Sequence, residues 1–376
     1  MPNADRFITV AIHTYDKAIA LRALLEREGI EVQFRNVNIE QPVVASGIRV
    51  RIRENDLPLA LRIIENIDIF TDPIGPARGA NPTSPVLVPV DFSETSANAV
   101  KVAFALAAAH STTIVLLHTY IDPYIAGALQ LTNSPTYETS EGSSREQMLA
   151  SAQAQMRHFT ERIRDNIKNG DLPPVKFTTA VVEGVPEDAI IEYTRANNPF
   201  AIIMGTRDAK RKETEMIGSV TAEVLDKSRF PVLAVPAASE CINAHNNRVL
   251  FISGYEQEDI LAIDTLYRIF PHVKADVTIV GLPDKKRRIL RGRTTRDAAG
   301  SLCQYCTANF KKYSFSTADT VLDTTPEAIE KLEANGQFRV VVIPNKRKNA
   351  FSRMFSPSLA NRILFSADIP VLVIPV

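Results

Sequence analysis

The sequence predicts an α/β protein: two tandem doubly wound five-stranded parallel-sheet domains, preceded by a small α+β domain. Three observations predict it. From Ser84 onward, short apolar runs of strand length alternate with longer helical segments, the order that builds a parallel sheet covered on both faces. The landmarks of that alternation occur twice at equal spacings. And residues 72–84, DPIGPARGANPTS, are a proline- and glycine-rich linker that neither sustains a helix nor pairs well in a sheet. With 376 residues, the chain has room for two or three domains of ~150 residues. The expected limits are 1–71, 85–237 and 248–376, with a weaker boundary at 237–247, AASECINAHNN.

The first segment reads strand (Phe7–Ile12), helix (Lys17–Glu28), strand (Val32–Asn36), strand (Gly47–Ile52), helix (Leu57–Ile67). Ile19, Leu21, Leu24 and Leu25 recur with helical spacing. Asp56 suits an N-cap and Pro58 the first turn after it. A β-α-β-β-α order points to a small sandwich with both helices on one sheet face. Arg49, Arg51 and Arg53 alternate along one strand. They read as a solvated face in preference to an anion site.

In the second segment VLVPV is a short strand and Thr95–His110 an alanine-rich helix. TTIVLLH is an uninterrupted apolar strand, the kind buried on both faces. Residues 121–144, rich in Ser, Thr and Gly, read as a long loop. A helix over 145–169, a strand over 175–182, a helix over 186–196, the strand FAIIM, a helix over 218–228 and the strand PVLAVP complete the set. The third segment repeats the order with VLFIS, VTIVG, FSTADTVL, FRVVVI and PVLVIP. Pro231 lies 13 residues after Gly218 and 26 after Gly205; Pro370 lies 13 after Pro357 and 26 after Pro344. PEDAI at 186–190 matches PEAI at 326–329. Equal spacing of equivalent strands marks two copies of one domain.

Composition excludes several classes. Apolar residues make up 45% and charged residues 23%, ordinary for a globular protein and incompatible with disorder throughout. The longest apolar runs are strand-sized, so no membrane span is expected, and Asp5 and Arg6 precede too short an apolar run for a secretory signal. Three cysteines fit a reducing cytoplasm better than a disulfide framework. Net charge is zero but unevenly spread. Residues 84–240 carry 14 basic and 19 acidic side chains, and residues 241–376 carry 19 and 13. That asymmetry suits mutual attraction of the two segments, and zero net charge argues against a dedicated nucleic-acid binder.

The chemistry-bearing signal follows the fourth strand of the first copy: Gly205-Thr206-Arg207-Asp208, nine residues, then Gly218-Ser219-Val220-Thr221. The second glycine opens a predicted helix, where free amides and the helix dipole favour a phosphate. Ser219 and Thr221 can add hydroxyls. Asp91 ends the first strand. In a doubly wound sheet, ligands bind at the carboxyl ends of strands where the winding reverses. Asp91 and Gly205 share that crevice if strands one and four are neighbours.

These residues resemble the universal stress protein family, whose ATP-binding members carry G-x2-G-x9-G-[ST]. Gly205, Asp208, Gly218 and Ser219 stand at that spacing, and Pro89-Val90-Asp91, Leu116–His118, Glu183–Ile190 and PVLAVP add to the likeness. The resemblance covers residues 84–240 well and 248–376 weakly. It implies that Pro89, Val90 and Asp91 lie near adenine and ribose, that Thr119, after the second strand, meets the base edge, and that Gly205, Arg207, Gly218, Ser219, Val220 and Thr221 surround the phosphates of ATP. Asp208 departs from the pattern, since the family's ATP binders have glycine there; Arg207, Lys210, Arg211 and Lys212 offset its charge. No metal-ligand motif is present, so Mg would come only with the nucleotide. The first 70 residues resemble small signal-transducing domains with a ferredoxin-like sandwich, on YDKAIALRALLEREGIEV and IRVRIRENDLPLALRIIE.

The second copy has lost the site. Gly254 stands for Asp91, and Pro344, Arg347 and Pro357 replace the motif positions, leaving only Ser358. A proline at 357 removes the amide a phosphate needs. The expectation is a structural copy that pairs with the first as a pseudo-dimer through the last strands, as family members do, with a homodimer left open. Cys303 and Cys306 form a CxxC inside a predicted helix from Ile289 to Phe310 and read as buried apolar residues, not a redox or zinc pair. The basic run Lys285, Lys286, Arg287, Arg288, Arg291, Arg293 and Arg296 reads as a solvated loop or a face for an acidic partner. No Walker A lysine and no nucleophile elbow is present; His118, ending a buried strand, is expected to be packed or hydrogen-bonded there. The functional expectation is a cytoplasmic regulatory protein that binds ATP in the first copy and shows a changed surface to an unknown protein partner. A nucleotide-independent scaffold is the alternative, and slow ATP hydrolysis or autophosphorylation on Ser219 a minor one.

Overall fold

A computed structural model describes residues 7–13, 15–36, 48–56, 59–60, 83–120, 141–206, 220–237, 247–255, 257–281, 295–318, 338–345, 363 and 369–376. The predicted helix Leu57–Ile67, most of the loop 121–144, the basic run from Lys285, and Arg207, Asp208, Gly218 and Ser219 lie wholly or largely outside these residues.

The N-terminal segment contributes β1 (Phe7–His13), α1 (Tyr15–Arg27), β2 (Val32–Asn36) and β3 (Ile48–Arg53). They form a three-stranded antiparallel sheet in the order β1-β3-β2. Leu21 and Leu25 of α1 are buried with Val50 and Ile52 of β3. Two arginines of β3, Arg51 and Arg53, face protein partners. Arg51 donates to the Phe7 carbonyl at 2.5 Å. Arg53 pairs with Glu31 at 2.6 Å and lies over the Phe7 ring.

The remaining strands are β4 (Val86–Pro89), β5 (Ile114–Tyr120), β6 (Phe177–Glu183), β7 (Ile202–Gly205), β8 (Val232–Val235), β9 (Arg248–Ser253), β10 (Ala275–Gly281), β11 (Tyr313–Thr317), β12 (Val340–Asn345) and β13 (Val371–Pro375). They form one ten-stranded sheet in the order β11-β10-β9-β12-β13-β8-β7-β4-β5-β6. The described helices are α2 (Glu94–His110), α3 (Glu141–Asn169), α4 (Pro186–Asn197), α5 (Val220–Lys227), α6 (Gln257–Ile269) and α7 (Thr295–Asn309).

The two halves of this sheet share one plan. Strands within each half run parallel, and each half takes its five strands in the same spatial order. The registers also repeat. Pro89 faces Leu117 and Ile252 faces Val280. Gly205 faces Val235 and Pro344 faces Ile374. Leu87 faces Ile202 and Leu250 faces Val341. Phe92 and Tyr255, three residues past the equivalent strand positions Pro89 and Ile252, both take a positive φ, 66° and 56°, a conformation L residues seldom adopt. The halves meet where β13 pairs antiparallel with β8, Leu372 opposite Leu233.

The apolar runs explain why this sheet is covered on both faces. Alternate residues divide into two cores. Val86, Val88, Ile203, Leu233, Phe251 and Leu372 meet α2, α3, α6 and α7. Leu87, Ile202, Val232, Leu250 and Val373 meet α4 and α5. Phe104, wholly buried, anchors α2. The Ser93 side chain accepts from the Ser96 amide to start that helix, and Ser111 in the left-handed region ends it.

Several boundaries differ from expectation, and three of them lie near the candidate site. Residues 141–144 are already helical in α3, because a helix nucleated by the apolar stripe Ala152, Met156, Phe159 and Ile163 extends at one hydrogen bond per residue. β5 runs to Tyr120, so Thr119 lies within the strand and not after it. Gly205 is the last residue of β7, not the first of a loop. In each strand the ladder carries on past the end of the apolar run, because main-chain pairing does not depend on side-chain polarity.

Candidate functional site

The site lies where β4 and β7 adjoin and their crossovers leave in opposite directions. From β4 the chain moves through β5 to β6 with α2 and α3 on one face; from β7 it moves to β8 with α5 on the other. Pro89, Val90, Asp91 and Gly205 therefore gather at one end of the sheet, as the sequence predicts, with Val220 and Thr221 opening α5 beside them. Arg207, Asp208, Gly218 and Ser219 lie outside the described residues.

Gly205 has a steric reason to be glycine. A Cβ there would fall 2.6 Å from the Thr95 carbonyl carbon and 2.8 Å from the Ser96 amide nitrogen. The start of α2 thus packs directly on the end of β7. On the other side, the buried Thr221 donates its hydroxyl to the Gly205 carbonyl at 3.0 Å. This bond joins the strand end to the first turn of α5 across sixteen residues, so both ends of the intervening 206–219 segment are pinned together. The Thr221 hydroxyl proton is used in that pinning, while its backbone amide belongs to the helix's first turn.

Asp91 is exposed, and its Oδ1 accepts from both the Ser93 amide at 3.1 Å and the Ser93 hydroxyl at 2.5 Å. Ser93 in turn caps α2. The carboxylate is therefore fixed in direction at the crevice mouth. Val90 is buried, and its carbonyl accepts from Nδ1 of His118 at 2.8 Å. The His118 ring packs on Phe92, centroids 4.3 Å apart. His118 is thus packed and hydrogen-bonded at the strand end, as its position in the sequence predicts. Thr119 is half-buried beside Val182 of β6. On the outer wall, Arg145 at the start of α3 pairs with Glu183 at 2.5 Å, and the Tyr120 hydroxyl donates to the same carboxylate at 3.3 Å.

Where the chain turns out of β9, the corresponding corner of the second half is filled from within. Ser253 stands for Val90, Gly254 for Asp91 and Tyr255 for Phe92. The Ser253 hydroxyl donates to Asp259 Oδ2 at 2.6 Å and accepts the Tyr255 amide at 2.9 Å. Burial pushes the Asp259 carboxyl up, while hydrogen bonds from Ser253 and from the Tyr255 and Gly254 amides pull it back. The amides at this strand end already hold a carboxylate of the chain itself. The Tyr255 ring lies over Gly281, where a Cβ would collide with it. Sequence spacing does not show the Ser253–Asp259 pair; a serine six residues before an aspartate is too common to notice. Cys306 is buried, its thiol pushed up to about 12 chiefly by burial, whereas the half-buried Cys303 donates to the Phe315 carbonyl at 3.3 Å. No group of three or more His, Cys, Asp or Glu side chains placed to hold a metal occurs among the described residues.

Between α4 and α5, Lys227 approaches Asp188 at 3.4 Å and Glu223 at 3.1 Å. Beside them burial pushes the Glu187 carboxyl from 4.5 up to about 7; Lys227 opposes the shift, and Asp188 and Glu223 reinforce it. The folded chain then holds a proton that the unfolded chain releases. Its stabilisation is complete below the ordinary carboxylate range and is lost as the pH rises through about 7. Thermal unfolding of Glu187→Gln, followed across this range, is expected to show a flatter decline with pH than the parent chain. A parallel decline in the two proteins would reject the assignment.

A doubly wound parallel sheet with a glycine-ended strand and a fixed carboxylate where the winding reverses defines a class of α/β domain. Residues 83–236 match the model of the universal stress protein family. The universal stress protein MJ0577 of Methanocaldococcus jannaschii is 26% identical over 159 residues, 40% of this chain and 93% of its own. The stress response protein NhaX of Bacillus subtilis is 27% identical over 168 residues, 40% of this chain and 96% of its own. A universal stress protein from Archaeoglobus fulgidus shares the fold over 78% of this chain and 98% of its own, with a TM-score of 0.55 and 17% identity. That likeness in fold reaches beyond the family-matched stretch. Among the described residues no helix is long and apolar enough to cross a membrane.

Proposed function

We propose that the chain is a regulatory stress-response protein that holds ATP at the β4–β7 crevice of its first half. The observation that carries this reading is the bond from Thr221 to the Gly205 carbonyl, which brings the first turn of α5 against the glycine-ended strand at the switch point. The described donors fit a nucleotide. A helix start such as the first α5 turn, at Val220 and Thr221, favours phosphate through its dipole, and the fixed Asp91 carboxylate offers an acceptor to ribose hydroxyls. Val90 and Pro89 supply an apolar floor, and Thr119 a polar edge for the base. Arg207, Gly218 and Ser219 complete the phosphate loop in this reading, with Asp208 as its acidic member. Mg would arrive with the nucleotide.

The second half is, in this reading, a universal stress protein-like domain over 248–376 that has exchanged ligand binding for pairing with the domain at 85–237. Its own carboxylate at the β9 strand end and its seam with β8 support that. The segment 1–71 is read as a ferredoxin-like signalling domain, joined by the linker 72–84. The chain does no obligatory chemistry here; it changes the surface around the 206–219 loop when the nucleotide binds, and a protein partner in the cytoplasm reads the change.

Isothermal titration with ATP and ADP tests the reading. Saturable heat, with a rise in unfolding temperature, is expected for the full chain. No heat and no thermal shift at millimolar nucleotide would overturn it and leave a nucleotide-independent scaffold. Turnover of labelled ATP that is lost in Ser219→Ala would instead mark an enzyme.

A further inference from the structure

We propose that Asn345, in the half that has lost the motif, is a positioning residue for the phosphate helix of the other half. This inference rests on the ATP reading above and names how that site is tuned.

Asn345 is the last residue of β12. By the repeat it stands for Thr206, the residue after the first motif glycine, since Pro344 and Gly205 take the same register against the last strand of each half. In the second half it has no motif to serve. Its side-chain amide instead crosses the seam and donates to the Leu225 carbonyl at 3.2 Å. Its own carbonyl accepts the Val376 amide at 3.2 Å, which ties its backbone to the end of β13. The residue is thus held by its own half and reaches into the other.

Leu225 lies in the last turn of α5, whose eight residues begin at Val220. The last four carbonyls of a helix lack intrahelical partners. Ser228 takes one of them, the Val224 carbonyl, at 2.8 Å; Asn345 takes the next. The other end of the same helix is tied to β7 by Thr221, and its flank is tied to α4 by Lys227 and Asp188. A helix of two turns behaves as a rigid rod, so a shift at its carboxyl end moves the amides at its amino end by a similar distance. Main-chain donors must meet a phosphate oxygen within a few tenths of an ångström to keep their bonds. Loss of the Asn345 bond therefore weakens the grip on phosphate and leaves the adenosine contacts, which come from β4 and β5, in place.

The test compares the full-length parent with Asn345→Ala, Asn345→Asp and Asn345→Gln, by titration with ATP and with adenosine. Asn345→Asp is isosteric and turns a carboxylate toward the Leu225 carbonyl; Asn345→Gln keeps the donor. ATP affinity is expected to fall roughly five- to tenfold in the Ala and Asp variants, a typical coupling between sites. Adenosine affinity is expected to stay level, and the Gln variant to stay close to the parent. Faster hydrogen exchange at the α5 amides of the Ala and Asp variants is expected alongside. ATP and adenosine weakening together, or ATP binding unchanged with α5 exchange unchanged, overturns the positioning role. A parent chain that binds neither ligand overturns the ATP reading itself, and this inference with it. If the Ala variant does not fold, the isosteric Asp and donor-keeping Gln variants decide between the same outcomes.

Discussion

Gly205→Ala is expected to lower the stability of the first half by about 2–3 kcal/mol, the cost of forcing a methyl group into a packed interior. The methyl would sit 2.6 Å from the Thr95 carbonyl carbon and 2.8 Å from both the Thr95 oxygen and the Ser96 nitrogen. These are backbone atoms in the first turn of α2, so no side-chain rotation relieves the clash. Either α2 retreats from β7 or β7 bends, and the latter move carries the Gly205 carbonyl away from Thr221. Chemical denaturation followed by circular dichroism reads the loss, and nucleotide titration reads the second effect. Gly300→Ala is the matched control. Gly300 sits in α7, and a methyl group added there would meet no atom within 4 Å, so the same substitution should stabilise by about 0.5–1 kcal/mol. Equal effects at the two glycines would refute the packing argument.

Leu372→Asp should have a still larger effect, more than about 4 kcal/mol, because it places an unpaired carboxylate in a fully apolar interior. Leu372 is 1% exposed and faces Leu233, 3% exposed, across the antiparallel seam. The seam joins the two halves into one sheet, so the expected readout is a change in cooperativity. The parent should unfold with its halves together, and the variant should show an early transition for the second half. Thr179→Asp on the exposed outer strand β6 should change stability by no more than about 0.5 kcal/mol. A single late transition in Leu372→Asp would show that the halves do not depend on the seam.

Much of this architecture was legible in the residue order. The equal offsets from Gly205 to Pro231 and from Pro344 to Pro370 reappear as paired registers, because a repeated spacing of strand ends leaves a parallel ladder little choice of partner. Asp91 and Gly205 lie at one crevice because β4 and β7 are neighbours, which a doubly wound order requires. The 141–144 stretch was not legible, since its serines and glycine imitate a loop. Nor was the use of the Thr221 hydroxyl, since its partner is a carbonyl sixteen positions away.

What the amino-acid order determined alone is the α/β class, the alternation of strands and helices, and which half of the chain carries the glycines. Those properties depend on local periodicity and on spacing along the chain, and both are fully present in one dimension. The tertiary structure alone decided that Gly205 is glycine because α2 abuts it, that Asp259 fills the corner after β9, and that Asn345 reaches Leu225 across the seam. Each is a contact between groups whose separation is set by the packing of layers. Short-range forces act only once the fold has brought such groups within a few ångströms.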